Sequence, residues 1–480
     1  MKRFHLSLAS LLVLPLLAFA ASEKPNILFV LSDDQSAAHV GCYGNPDVQT
    51  PNIDKLAREG MRFERAYVAS PQCVPSRASI MTGRSPVALD MTRFSAPLPA
   101  EFKVYPEYLR SAGYYTGVAG RTYHLDGGGG AASAKIFAEK HLATFPDRLD
   151  YVRSTNKRPE MLSQYQEFLD QVPAGKPFCL QLCFSDPHRP YTTEDVPSPR
   201  DPAKLTLPPF YPDTPEVRKD LAAYYDEIQR FDSDLGQVLD ILEKRGLAKN
   251  TIVVFMGDNG SAQFRGKGTL FELGIRVPLV IRWPGTVTPG STTTNLISGE
   301  DLAPTLLEAA GLPAPKDMTG VSFLPRLREQ PFDGRTYAFS ERGAHASSLP
   351  QNTASFDLGR AVVGTRYKLI YNALWQLPYF PVDFGHSEMW KEIVAMHESG
   401  KLSPELSQLY FPPVRPMFEL YDLETDPYEL HNLAGTPDNK TIERDLKQAM
   451  LDWMIVERDY LPLPIPAGGK GKKKAAAKDE

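Results

Sequence analysis

The sequence predicts an α/β fold: a mostly parallel sheet with helices on both faces, joined to a smaller α+β lobe. Three observations predict it. Up to Ile281, apolar runs alternate with helical segments, which is the pattern of parallel strands connected by crossover helices. A chain of 480 residues with 42% hydrophobic side chains buries a sizeable core, and at this length cores divide into unequal lobes. From about Asp333 the pattern changes to short strand-like runs with more aromatics, which reads as a second, smaller unit packed on the first.

Taken in order, residues 1–20 read as a cleaved export signal. Lys2 and Arg3 precede an apolar run from Leu6 to Leu17, and Ala18-Phe19-Ala20 has the small-x-small form of a signal peptidase site. A soluble mature protein, periplasmic or secreted, is therefore expected. No later stretch has the roughly twenty uninterrupted apolar residues that span a bilayer, so no membrane span is expected. Asn26 to Leu31 reads as the first buried strand. Thr50-Pro51, followed by Ile53, Leu56, Ala57 and Gly60, reads as an amphipathic helix with Pro at its first position and Gly past its end. Tyr115 to Ala119, Phe178 to Phe184, Thr251 to Met256 and Val277 to Ile281 follow as buried strands, and Leu302 to Ala310 before Gly311 as a helix. These elements make a main domain over residues 24–335. Short strands at Ala361 to Val363, Lys368 to Tyr371 and Phe418 to Tyr421, with a helix over Ile442 to Val456, make a smaller domain over 336–466. The Gly-, Lys- and Ala-rich residues 467–480 read as a disordered tail.

Composition excludes several partners. A formal net charge of −5 and a pI near 6.1 supply no basic field of the kind that releases counterions from phosphates, so nucleic acid is excluded. The four cysteines are Cys42, Cys73, Cys179 and Cys183. Cys179 and Cys183 share one face of a buried strand, too far apart to bridge easily, and read as core thiols. No disulfide scaffold is indicated. No heptad pattern marks a partner surface, so the oligomeric state is left open.

The chemically suggestive residues cluster just after the strands, where open α/β sheets bind ligands. Ser32-Asp33-Asp34 follows the first strand and Gly257-Asp258-Asn259-Gly260 another. Asp33, Asp34, Asp258 and Asn259 together form a hard oxygen-ligand set suited to Ca²⁺, or to Mg²⁺, rather than zinc. Singly, such residues also serve as ordinary caps and Asx turns. Arg121 and His124 follow the second strand. His188, in Ser185-Asp186-Pro187-His188, follows the third and is a candidate general acid, because imidazole titrates near neutrality. Lys267 lies in a Gly-rich loop, Gly266-Lys267-Gly268, and could neutralise charge on a leaving group.

Cys73-Val74-Pro75-Ser76-Arg77, continued by Thr82-Gly83-Arg84, resembles the sulfatase signature Cys-x-Pro-Ser-Arg, in which a maturation enzyme oxidises the cysteine to formylglycine. The hydrate of that aldehyde carries two hydroxyls: one attacks sulfur, and the other later expels sulfate by re-forming the carbonyl. The likeness to formylglycine-dependent sulfatases runs from about Lys24 to Pro466. It implies an alkaline-phosphatase-like α/β/α sandwich, a smaller C-terminal α+β domain, one calcium ion and a sulfated carbohydrate substrate. Carried over, it makes Asp33, Asp34, Asp258, Asn259 and the modified Cys73 the metal ligands. Arg77 would steady the hydrate, His124 would assist sulfate release, and Arg121, His188 and Lys267 would bind sulfate and serve the leaving group. Arg121 stands where the family usually has lysine; arginine can clamp sulfate bidentately but cannot give up its proton.

The stretch Leu207 to Thr214 leading into Arg218 to Leu221, the runs Tyr367 to Asn372 and Phe418 to Asp422, and Trp453 with Asp459-Tyr460 look like the heparan N-sulfatase branch. The spacing from Arg121 to His124 resembles the iduronate-sulfatase branch instead. Ester and sulfamate thus both remain open. Two other readings stand beside the sulfatase: a phosphodiester or phosphonate hydrolase of the same superfold, and a non-catalytic glycan-binding relative in which Cys73 is never matured. His345, His386 and Glu388 are equally compatible with reading a sugar and with structural duty, and receive no role.

Overall fold

A computed structural model describes residues 24–461 except 95–97, 100, 123, 125–147, 193, 197 and 346–351. The expected export signal (1–20) and tail (467–480) lie outside the described residues. The main sheet has eight strands: β1 (Asn26–Ser32), β2 (Met61–Phe63), β4 (Tyr115–Gly120), β5 (Tyr151–Val152), β6 (Phe178–Cys183), β7 (Thr251–Gly257), β8 (Leu279–Arg282) and β9 (Ser291–Thr293). Their order is β5-β4-β6-β1-β7-β8-β2-β9. A separate two-stranded ladder joins β3 (Ala66–Tyr67) and β10 (Ile297–Ser298).

Strand β1 lies at the centre, parallel to both neighbours, with Leu28 level with Leu180 of β6 and Val253 of β7. All seven of its residues are buried, as expected of a strand covered on both faces. Its alternate side chains divide the core. Ile27, Phe29 and Leu31 pack with Val74, Ala78 and Ile80 of helix Cys73–Thr82 and with helix Leu302–Ala309. Leu28 and Val30 pack with helix Pro51–Glu59, helix Arg158–Gln171 and the long helix Pro215–Lys244. The period-2 alternation of a strand thus builds an α/β/α sandwich. Cys179 and Cys183 fall on one face of β6 and are buried free thiols, as expected.

The sheet departs from parallel at one side. The Val277 to Ile281 run forms β8, but antiparallel to β7. A parallel return needs a crossover, usually a helix, and residues 258–278 hold only the four-residue helix Glu272–Ile275. That segment is spent instead on loops at the carboxyl edge of the sheet. Because β1, β4, β6 and β7 are mutually parallel, their carboxyl ends share that edge.

The C-terminal part carries a four-stranded antiparallel sheet, β11 (Ala338–Ala344), β12 (Phe356–Val363), β13 (Tyr367–Asn372) and β14 (Phe418–Asp422), in that order. The first of these was not foreseen. Helix Lys440–Val456 covers one face, with Leu446, Met450 and Met454 against Val362, Leu369 and Leu420. On the other face Ala361, Val363 and Ile370 join the main core. Between β13 and β14, Phe384, Trp390 and Tyr410 pack with Phe264 and with the long helix through Tyr224 and Ile228. This brings residues from the second unit beside the carboxyl edge of the first. Among the described residues no helix is long and apolar enough to cross a membrane.

Candidate active site

Cys73 is the first residue of helix Cys73–Thr82, which Gly83 ends in a left-handed conformation (φ 68°). The helix is buried along its whole length. Its N-terminus, with unpaired amides and positive dipole end, therefore points at the carboxyl edge of the sheet, and Cys73 Sγ donates to Asp33 Oδ1 at 3.4 Å. One turn on, Arg77 is completely buried. Its guanidinium lies 2.9 Å from Asp33 Oδ2 and 2.7 Å from Asp258 Oδ2, and donates to the carbonyl of Arg121 at 2.9 Å. Three segments that span residues 33 to 258 of the chain are locked around one side chain.

All ten side chains singled out from the sequence converge here. Asp34, in a left-handed conformation (φ 66°), accepts from Asn259 Nδ2 at 2.8 Å, while its backbone amide donates to Asp258 Oδ1 at 2.9 Å. Lys267 Nζ is 2.9 Å from Asp34. Arg121 Nε is 3.0 Å from Asp33 Oδ2, and its terminal nitrogen approaches His188 Nε2 at 3.4 Å. His124 Nδ1 lies 3.9 Å from Asp33 Oδ2, with its ring edge-on to Phe94. Arg121 is placed by Gly120, whose φ of 81° and close approach admit no side chain: a Cβ there would sit 2.0 Å from the Cys183 carbonyl oxygen. Asp186, by contrast, turns away and pairs with Arg230 at 2.7 Å.

The electrostatics of the cluster fit a divalent cation. Asp33 is held well below the usual carboxylate range: burial alone would raise it, but Arg121 and Arg77 outweigh that. Asp34 and Asp258 are each pushed up to about 6, by burial first and then by neighbouring charges. Four carboxylates, with Asp383 (below) as the fourth, face three cations, Arg77, Arg121 and Lys267. The balance is one net negative charge, which one divalent ion would turn to one net positive. The donor set fits such an ion: ligand atoms of Asp33, Asp34, Cys73 and Asp258 all lie within 4.8 Å of one another. Asn259 Oδ1 is buried without a hydrogen-bond donor. Hard oxygens dominate the set, which suits Ca²⁺ or Mg²⁺.

One electrostatic feature differs from the sequence reading. His188 does not titrate near neutrality in this setting. Burial, then Lys267, pushes it down to about 4. Its Nδ1 bonds the carbonyl of Arg189, so the neutral ring presents Nε2 to Arg121. Burial, then Asp33, pushes the Cys73 thiol well above its usual range, so unmodified Cys73 is a neutral thiol and a weak nucleophile.

Sequence reasoning missed Asp383. It sits at a bend between β13 and helix Glu388–Glu398, with Oδ2 2.7 Å from Lys267 Nζ and Oδ1 3.5 Å from His345 Nε2. His345 Nδ1 in turn meets the Gln72 side chain at 2.9 Å, immediately before Cys73. No strand end or motif announces Asp383; only the packing of the second unit on the first brings it in.

Comparison with known proteins finds relatives along most of the chain. A family model described as Sulfatase matches residues 25–312, and one described as N-sulphoglucosamine sulphohydrolase, C-terminal, matches residues 260–376. An ulvan-active sulfatase of Formosa agariphila is 30% identical over 478 residues, covering 95% of this chain and 86% of its own. Human N-sulphoglucosamine sulphohydrolase is 26% identical, covering 93% of each chain. A structure solved in complex with its substrate D-glucosamine-2-N,6-O-disulfate superposes with a TM-score of 0.65 at 21% identity, covering 92% of this chain and 99% of its own.

Proposed function

We propose, because the chain belongs to the sulfatase family, that it releases inorganic sulfate from a sulfated carbohydrate, using a formylglycine made from Cys73 beside one bound Ca²⁺. The family makes it a sulfuric ester hydrolase. The carbohydrate substrate is supported by the relatives, which include an ulvan-active sulfatase and a sulphoglucosamine sulphohydrolase. Sulfate ester and sulfamate both fall within that range.

The observation that carries the mechanism is the placement of Cys73. It stands at a buried helix N-terminus, 3.4 Å from Asp33 and one turn before an arginine that bridges Asp33 and Asp258. Matured to formylglycine, it would supply a hydrate whose one hydroxyl attacks sulfur and whose other re-forms the carbonyl to expel sulfate. A divalent cation on Asp33, Asp34, Asp258 and Asn259 would supply Lewis acidity and neutralise the sulfuryl oxygens.

The chain's own residues do the rest. Arg77 keeps two of these carboxylates ionised and aimed inward. Arg121 offers a fork to the sulfate oxygens on the side of Asp33. His124 stands beside Asp33, placed to handle a proton as sulfate departs. Lys267 and His188 flank the leaving-group side, and Lys267 stays charged because Asp34 and Asp383 overcome its burial. We further propose that the enzyme acts after export, in the periplasm or outside the cell, with maturation of Cys73 by a formylglycine-generating enzyme.

The test is peptide mass spectrometry across Cys73 on protein from its native-type host, with sulfate release measured on the same sample. Formylglycine makes that peptide about 18 Da lighter, and Cys73→Ala should abolish turnover. An unmodified thiol in fully active protein would overturn the mechanism. Phosphate-ester turnover exceeding sulfate release would overturn the substrate class.

A further inference from the structure

We propose that Asp383 is a specificity-determining residue that accepts a hydrogen bond from a donor, a hydroxyl or amine, on the carbon next to the sulfated position of the sugar. The inference rests on the proposed carbohydrate sulfatase activity and names what the site demands of its substrate beyond the sulfate.

A carboxylate beside an anion site repels the anion, so its presence calls for a purpose. Neutralising Lys267 is not sufficient, since Asp34 already lies 2.9 Å from Nζ. Asp383 stands one layer further out than the reacting groups. Its Oδ2 is 2.7 Å from Lys267 and 4.0 Å from His188 Nε2, the two groups that flank the leaving oxygen. A substituent one carbon removed from that oxygen comes within its reach. Asp34 and Lys267 have side chains at most 1% exposed, whereas that of Asp383 is 23% exposed. A carboxylate has about four acceptor directions, and Lys267 and His345 occupy two of them.

The residue is also held in place, as a specificity contact requires. Its backbone is left-handed (φ 66°), and its neighbours Val382 and Phe384 are buried. Phe384 packs edge-on to both Phe264 and Trp390.

The surroundings favour a donor over a second anion. From His188 an open trough of about 500 Å³ runs past Asp383. Its two cations are already engaged: Arg189 pairs with Asp220 at 2.5 Å, and Lys219 with Glu216 at 3.8 Å. Against those two cations the lining sets four carboxylates, Glu216, Asp220, Asp383 and Glu388, of which Asp383 also pairs with Lys267 and Glu388 with Lys391, each at 2.7 Å. A vicinal sulfate placed there meets like charge, whereas a hydroxyl or amine finds an acceptor.

The experiment uses the matured full chain on the best substrate from a panel of monosulfated methyl glycosides. That substrate is compared with its vicinal deoxy analogue and its vicinally disulfated form. A hydrogen bond to a charged acceptor predicts that kcat/KM for the hydroxyl form exceeds the deoxy form by roughly ten- to hundredfold in the wild type. In Asp383→Asn the same ratio should fall to about threefold or less, and discrimination against the disulfated form should relax. A wild-type ratio near one overturns the proposal without recourse to any variant. So does an Asp383→Asn enzyme that is slower on both substrates with the ratio preserved, which would make Asp383 only a prop for Lys267. Absence of turnover on every sugar sulfate and on aryl sulfate by protein carrying formylglycine would instead overturn the carbohydrate sulfatase reading, and this inference with it.

Discussion

Replacing Arg77 by alanine tests the architecture of the site most directly. The guanidinium lies with no exposure between Asp33 at 2.9 Å and Asp258 at 2.7 Å. Removing one partner of a buried ion pair costs about 3–5 kcal/mol, because the remaining charge stays buried and uncompensated. Asp33 retains Arg121 at 3.0 Å, so the loss falls chiefly on Asp258, which accepts only one further hydrogen bond among those described, from the Asp34 amide. We expect R77A to lose about 4 kcal/mol of folding free energy in chelator. An ion bound by Asp33, Asp34 and Asp258 would restore positive charge beside Asp258, so the deficit should shrink to about half in saturating Ca²⁺. Urea denaturation with and without Ca²⁺ measures both numbers. Arg77→Lys keeps a charge but loses the fork and should fall between. If R77A and wild type unfold at the same urea concentration in chelator, the buried pairs contribute nothing and the reasoning fails. A deficit that grows with Ca²⁺ would refute the proposed sharing of ligands between arginine and metal.

Other outcomes follow from the same geometry. Asn259→Leu removes the buried amide oxygen that lacks a donor, and apparent Ca²⁺ affinity by calorimetry should fall roughly tenfold or more; an unchanged affinity would remove Asn259 from the ligand set. Gly120→Ala forces a Cβ to within 2.0 Å of the Cys183 carbonyl at φ 81°, costing about 2 kcal/mol or more. It should displace Arg121, raising KM, and an unaffected melting temperature would contradict this. His39 is completely buried against Tyr224 and Tyr225, and burial pushes it down to about 3 from an ordinary 6.5. Below pH 6.5 the unfolded chain takes up this proton before the folded one does, so stability is lost as pH falls from about 6.5 toward 3, by up to about 5 kcal/mol from this group. Acid denaturation of His39→Gln should therefore be shallower over that window, and identical acid profiles would count against it.

Much of the site was legible because its carriers are local. Asp33, Asp34, Asp258 and Asn259 follow buried apolar runs directly, and parallel strands bring their carboxyl ends to one edge, so strand recognition alone predicts their meeting. Cys73 and Arg77 were legible as a motif whose spacing is one helical turn. Asp383 was not legible, since it belongs to the second unit and reaches the site only through packing of Phe384 against Phe264 and Trp390.

The sequence by itself determined the alternation of strands and helices, the residues at each strand end, and the cysteine of the Cys-x-Pro-Ser-Arg motif. These are written in periodicities of 2 and 3.6 that each segment carries alone. Tertiary structure decided the rest. It set the reversed direction of β8, whose connection lacks a crossover helix. It set the neutrality of His188, which depends on burial and on a lysine 79 positions away in the chain. It also set the partners of Arg77, 44 residues from one carboxylate and 181 from the other. Burial and charge at a point are sums over everything packed there, and no local stretch of sequence contains that sum.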